Sequence, residues 1–165
     1  MSELRIAGIV DDSVVDGPGV RLTVFTQGCA HHCEGCHNPE TWDPTGGKVV
    51  TVKEIVDQYK ENPLLAGITF SGGEPFYQTE PLAELADRIH ELGGTVWCYT
   101  GYTLEILEEF EYPKKLLDKI DALVDGEFVI GERDLSLFFR GSRNQRIWAK
   151  DNGKWRIRYD EEGVY

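Results

Sequence analysis

An α/β fold with a mostly parallel sheet and fewer than eight βα units is what the 165 residues predict. Three observations lead there. Short β-branched runs alternate with stretches of helical periodicity, the pattern of successive βα units. The chain is long enough for one cored domain, yet well short of the roughly 250 residues of a full eight-unit barrel. The two loops with the most unusual chemistry each follow a β run directly, where ligand-binding loops of parallel sheets lie. We therefore expect a single domain over residues 1–165, without internal repeats or a linker.

Taken in order, residues 20–26 (VRLTVFT) alternate, are β-branched, and run as a strand into a cysteine-rich loop. Thr51-Val52-Lys53-Glu54 reads as a capping box opening a helix to about Lys60, with Ile55, Val56 and Tyr59 on its apolar face. Residues 64–70 form a second strand that ends at Ser71-Gly72-Gly73-Glu74-Pro75. A helix over residues 81–92 places Leu82, Leu85, Ala86, Ile89 and Leu92 at core spacing, with Gly93-Gly94 as its stop. Residues 95–100 make a third strand, and helical stretches within 103–119 are interrupted at Pro113. Residues 122–124 and 127–129 read as strand around Asp125-Gly126, and 146–150 and 154–159 as terminal strands.

Lys+Arg 17 against Asp+Glu 29 gives a net charge of -12. Such acidity excludes nucleic acid and anionic membrane as main partners, because both need basic surface. No apolar run reaches the length of a membrane span, and Met1-Ser2-Glu3-Leu4-Arg5 lacks the basic-then-apolar order of a secretion signal. The expectation is a soluble, cytoplasmic protein. The charge is uneven, since residues 140–165 hold seven Lys/Arg and four Asp/Glu and form a basic C-terminal segment.

Cysteines stand at 29, 33, 36 and 98, three of them within Cys29-Ala30-His31-His32-Cys33-Glu34-Gly35-Cys36. In a reducing compartment such a cluster points to metal binding or redox work. A structural zinc site would use the three thiolates with His31, His32 or His37. Cys33-Glu34-Gly35-Cys36-His37 also fits covalent haem attachment, but that needs export, and the sole Met is the initiator. An iron–sulfur cluster on three thiolates would leave one iron without a protein ligand. Burial as small hydrophobes is the remaining alternative, and the polar setting disfavours it. The cysteines alone do not separate zinc from cluster. Gly72-Gly73-Glu74 is by itself an ordinary turn signal, although beside an open iron it could hold the ammonium group of a small molecule.

Together, Cys29-x3-Cys33-x2-Cys36 and Ser71-Gly72-Gly73-Glu74-Pro75 resemble the radical S-adenosylmethionine superfamily. Asp16-Gly17-Pro18-Gly19-Val20-Arg21, Phe25-Thr26-Gln27-Gly28-Cys29 and Cys36-His37-Asn38-Pro39-Glu40 narrow the resemblance to the glycyl-radical activating enzymes. Tyr99-Thr100-Gly101-Tyr102 and Arg140-Gly141-Ser142-Arg143-Asn144-Gln145-Arg146 resemble the subgroup acting on anaerobic ribonucleotide reductase. The likeness runs from about Gly8 to Trp148. Gly35 stands where many superfamily members carry an aromatic residue, and the subgroup resembled has glycine there.

The resemblance implies a partial, open βα barrel of the radical S-adenosylmethionine type. It implies one [4Fe-4S] cluster per chain on Cys29, Cys33 and Cys36, with S-adenosylmethionine chelating the fourth iron. Gly35, Cys36, His37, Gly72, Gly73 and Glu74 would line the S-adenosylmethionine site, with Thr100, Arg140, Arg143 and Arg146 as further cofactor or partner contacts. An external donor, such as a flavodoxin or ferredoxin, would supply the electron that cleaves S-adenosylmethionine to a 5′-deoxyadenosyl radical. That radical would generate the glycyl radical on the catalytic subunit of the anaerobic reductase, with no general base required. Activation of another glycyl-radical enzyme of the formate-lyase type, or a non-catalytic zinc-binding interaction module, are the alternatives. His31 and His32 are expected to be solvated, Cys98 to be a buried thiol, and Glu105, Glu108, Glu109 and Glu111 to form a solvated helix face.

Overall fold

The computed structural model of the chain describes residues 2–29 and 31–158. Its strands are β1 (Glu3–Ser13), β2 (Arg21–Thr26), β3 (Lys48–Thr51), β4 (Gly67–Gly72), β5 (Thr95–Tyr99), β6 (Ala122–Asp125), β7 (Arg146–Asp151) and β8 (Lys154–Arg158). The helices are α1 (Val52–Lys60), α2 (Thr79–Glu91), α3 (Leu104–Glu108) and α4 (Glu111–Leu117). All eight strands join one sheet in the order β3-β1-β2-β4-β5-β6-β7-β8.

The expected α/β architecture is present, but the sheet is mixed rather than mostly parallel. Three pairings, β2–β4, β4–β5 and β5–β6, are parallel. Four, β1–β2, β1–β3, β6–β7 and β7–β8, are antiparallel. The physical reason lies in the connections. Only the central strands are joined through helical crossovers, which return the chain in the same direction. β1 and β3, which the periodicity did not reveal, pair through open loops, and β7 and β8 meet at Asn152-Gly153, a dipeptide favoured in tight hairpins.

The helices α1 and α3 open at the threonines that the sequence places there. By contrast, α2 starts at Thr79, before the expected position 81, and ends at Glu91, leaving Leu92 exposed and off its core face. Thr51 accepts from the Glu54 N–H at 3.1 Å, and Thr103 does the same for Ile106 at 3.3 Å. Pro113 does not interrupt the helical stretch. The break falls at residues 109–110, and Pro113 lies in the first turn of α4, where a missing N–H costs little. Residues 127–129 are not strand, and position 159 of the last expected strand lies outside the described residues.

The core lies between the sheet and its helices. Leu22, Val24, Ile68, Phe70 and Val96 meet Ile55, Val56, Leu82, Leu85 and Ile89, all buried. Trp97 of β5, Val124 of β6 and Ile147 of β7 form a smaller apolar cluster with Tyr99 and Phe139. At the amino ends of the central strands, Arg21 is fully buried, with no ion pair to a carboxylate among the described residues. Its guanidinium donates to Thr69 Oγ1 (2.8 Å), Ile68 O (2.9 Å), Thr95 O (2.9 Å), Thr95 Oγ1 (3.0 Å) and Pro18 O (3.1 Å). Burial lowers its pKa to about 10. That network pins the end of the sheet opposite the site.

Candidate functional site

The chain leaves the carboxyl end of β2 into the cysteine loop, and the loop is closed by its own return segment. Gly28 N–H donates to Thr41 O (2.6 Å) and Cys29 N–H to Trp42 O (3.1 Å). Gln27 Nε2 reaches Asp43 O (2.7 Å) and Glu40 O (3.0 Å). Cys29, Cys33 and Cys36 are free and half-buried.

Backbone N–H groups surround these sulfurs. The backbone N–H groups of His31 and His32 near the Cys29 sulfur, and that of Phe128 near Cys33, oppose the upward push of burial on both thiols. The Asn38 N–H lies 3.4 Å from Cys36 Sγ. Cys98 behaves differently. It is wholly buried, its thiol donates to Tyr99 O at 3.6 Å, and burial holds its pKa well above the usual range.

Among the described residues no three His, Cys, Asp or Glu side chains are gathered as a metal-ion site. A cubane puts each thiolate on a different iron, and N–H donors to the sulfurs are among the features that set its potential. The donor set here fits a cluster held by three thiolates.

The second loop emerges beside the first because β2 and β4 run parallel with Thr26 opposite Gly72. Gly72 has φ +95°, and a Cβ there would meet Thr26 N at 2.6 Å. The Gly73 N–H donates to Thr26 O (2.9 Å) and the Glu74 N–H to Gly28 O (2.8 Å). The two glycines are thus required first by the close approach of the two loop backbones. With those N–H groups committed, the carbonyls of Gly72 and Gly73 are the groups whose polarity suits an ammonium.

Glu74 is fully buried. Its carboxylate accepts from Gly101 N (2.8 Å), Thr100 Oγ1 (2.9 and 3.0 Å) and Phe76 N (3.1 Å). His31 Nε2 lies 2.7 Å from Glu74 Oε1, and His31 Nδ1 lies 3.1 Å from Glu127 Oε1. His31 is therefore not a solvated loop residue. Its side chain is 10% exposed, and the Glu74 hydrogen bond is the main cause that raises its pKa. His32 is exposed and stacks on Trp42 with ring centroids 4.4 Å apart.

A strap between β6 and β7 lies against the cysteine loop. Glu127 holds His31, and the Phe128 ring stands 5.0 Å from that of His37. A Cβ on Gly35, at φ +75°, would meet Ile130 Cδ1 at 2.6 Å and the Phe128 ring at 3.3 Å. The strap is braced by Gln145, whose Oε1 accepts the Gly141 N–H (2.8 Å) and whose Nε2 donates to Gly126 O (3.0 Å).

The structure thus brings Cys29, Cys33, Cys36, Gly35, His37, Gly72, Gly73, Glu74 and Thr100 onto adjoining loops at the carboxyl ends of the parallel strands. The three arginines take different places. Arg146 pairs with buried Asp125 (2.6 Å) and with Glu105 (2.5 Å), so it serves the fold. Glu105, Glu108, Glu109 and Glu111 are all exposed, with Glu105 paired to Arg146 and Glu111 to Lys114 at 3.6 Å. Arg140 Nη1 donates to Gln145 O (3.1 Å), and Arg143 is exposed. Sequence reasoning missed the strap residues Glu127, Phe128 and Ile130. Nothing in their local pattern marks them, because they reach the loop across roughly a hundred residues.

No helix of the described residues is long and apolar enough to cross a membrane. A protein-family model described as a 4Fe-4S single cluster domain matches residues 15–148. An anaerobic ribonucleoside-triphosphate reductase-activating protein of Enterobacteria phage T4 is 33% identical over 151 residues, covering 86% of this chain and 92% of that protein. Proteins of the same name from Salmonella typhimurium and Escherichia coli are 39% and 38% identical over 142 residues, covering 81% of this chain and 91% of theirs. The crystal structure of QueE from Escherichia coli superposes with a TM-score of 0.49 at 16% identity, over 61% of this chain and 53% of that one, a likeness too slight to define the fold. Similarity of this extent across nearly the whole length, with the cysteine loop inside the matched domain, places the chain in the family of anaerobic ribonucleoside-triphosphate reductase-activating proteins.

Proposed function

We propose that this chain installs a glycyl radical on the catalytic subunit of an anaerobic ribonucleotide reductase. The chain is read as one domain with the architecture of a partial, open βα barrel, holding a [4Fe-4S] cluster on Cys29, Cys33 and Cys36. When bound and reduced, the cluster would pass one electron to S-adenosylmethionine, releasing methionine and a 5′-deoxyadenosyl radical that takes hydrogen from a glycine Cα. One observation carries the reading. Three free, half-buried thiols on one loop sit beside Gly72-Gly73-Glu74 at adjacent strand ends, with backbone N–H groups near their sulfurs.

The chain's own residues supply position and polarity. The Gly72 and Gly73 carbonyls face the polarity of an amino group, and Gly35 and His37 border the third cysteine. Glu74 acts through others, holding Thr100, Gly101 and His31 in one arrangement. A pre-bonded site fixes the positions of these loops before any cofactor binds. The reducing electron comes from an external carrier.

The test is anaerobic reconstitution with iron and sulfide, then dithionite and S-adenosylmethionine. Release of 5′-deoxyadenosine that Cys33→Ala abolishes, with a glycyl-radical signal on added reductase subunit, supports the proposal. A fully loaded cluster without release overturns it. A signal on a formate-lyase type enzyme, and none on the reductase, reassigns the partner.

A further inference from the structure

The strap doubles back as a hairpin between β6 and β7. Arg133 bridges to Ser142, and the Asp134 N–H donates to Gly141 O at 3.3 Å. Asp134 Oδ1 accepts from Ser136 N (2.9 Å) and Oγ (2.6 Å), which fixes the turn. Its tip presents two large apolar side chains to solvent, Leu135 at 82% exposure and Phe138 at 62%. A hairpin bonded within itself holds that tip outward. The Phe138 ring also lies 6.3 Å from that of Phe139, which holds its exposed face in place.

We propose that this hairpin tip is the docking surface for the protein substrate, and that it enters an apolar pocket rimmed by carboxylates. The proposal rests on the reading that the substrate is the reductase subunit. Two observations choose the occupant. The hairpin's root touches the cysteine loop through Phe128 and Ile130 at Gly35, so a protein seated on the tip lies beside the site where its glycine reacts. Residues 131–143 carry Arg133, Arg140 and Arg143 against Glu132 and Asp134, a net +1 on a chain of net charge -12, so an acidic rim complements the hairpin better than a basic one. Exposed large apolar residues flanked by arginine are the composition of interface anchors.

The experiment measures anaerobic binding of the reconstituted chain to the reductase catalytic subunit by calorimetry. In parallel, it measures 5′-deoxyadenosine release without the subunit. The double variant Leu135→Asp/Phe138→Asp should bind at least about tenfold more weakly, as loss of anchor residues does. Its release of 5′-deoxyadenosine should stay within about twofold of the parent, because neither side chain touches the site. Leu135→Ser alone should weaken binding to a smaller extent. Leu64→Asp is the control, since Leu64 is 81% exposed and precedes β4 at the opposite end of the sheet. Unchanged binding by the double variant, equal weakening by Leu64→Asp, or no binding by the parent overturns the proposal. Binding that the double variant loses, in a parent that releases no 5′-deoxyadenosine, keeps the docking surface and rejects the radical reading alone.

Discussion

His31 Nε2 stands 2.7 Å from Glu74 Oε1 and ties together two loops that are 43 residues apart in the chain. The same carboxylate caps the turn after it through Phe76 N and holds Thr100 and Gly101 at the end of β5. Glu74 is therefore the point at which the cysteine loop, the glycine loop and a third strand end are fixed relative to one another.

Replacing that carboxylate by an amide tests this arrangement. In Glu74→Gln one amide N–H must face donors that now meet an oxygen, and a buried unsatisfied donor costs about 1–3 kcal/mol. Chemical denaturation of the metal-free chain should show a loss of that order. A change below about 0.5 kcal/mol would mean the four donors are satisfied elsewhere.

Gly35 and Ile130 should be energetically coupled. Gly35→Ala adds a Cβ at φ +75° facing Ile130 Cδ1, and the left-handed backbone alone costs an alanine about 1 kcal/mol. Ile130→Ala removes the clash but not the backbone strain. In a double-mutant cycle read by denaturation, the double variant should be less destabilised than the two single losses added, by at least about 0.5 kcal/mol. Additivity would place the two side chains apart.

The cysteines should divide three to one. In the metal-free native chain, iodoacetamide should label half-buried Cys29, Cys33 and Cys36, and Cys98 should react only after denaturation. Peptide mass spectrometry reads the result. Native labelling of Cys98 at a comparable rate would contradict its burial.

Arg21 should not tolerate lysine. Five donor contacts in a planar fork reach Thr69, Ile68, Thr95 and Pro18, and an ammonium has three donors on a different geometry. Arg21→Lys leaves buried acceptors unmatched, with an expected loss of about 3 kcal/mol or more in a denaturant titration. A loss under 1 kcal/mol would show that water or a shifted lysine takes over.

Much of this was legible in the chain because it depends on local rules. The capping of α1 by Thr51, the strand entering the cysteine loop, the core face of α2 and the buried thiol of Cys98 follow from short spacings in one segment. The antiparallel edge made by β1 and β3 was not legible, since nothing local states which neighbour either strand will pair with. Pro113 was misread for a related reason. Its effect depends on where the helix begins, and a first-turn proline forfeits no hydrogen bond.

By itself the sequence determined the site's chemical inventory: three clustered thiols, a glycine–glycine–glutamate loop and the strand ends that carry them. Only the tertiary structure decided how that inventory is used. It turned Glu74 inward onto His31 and Thr100, assigned Arg146 to Asp125, and laid Phe128 and Ile130 against Gly35. Those pairings join residues far apart in the chain, and their partners are set by packing and burial that no local pattern records.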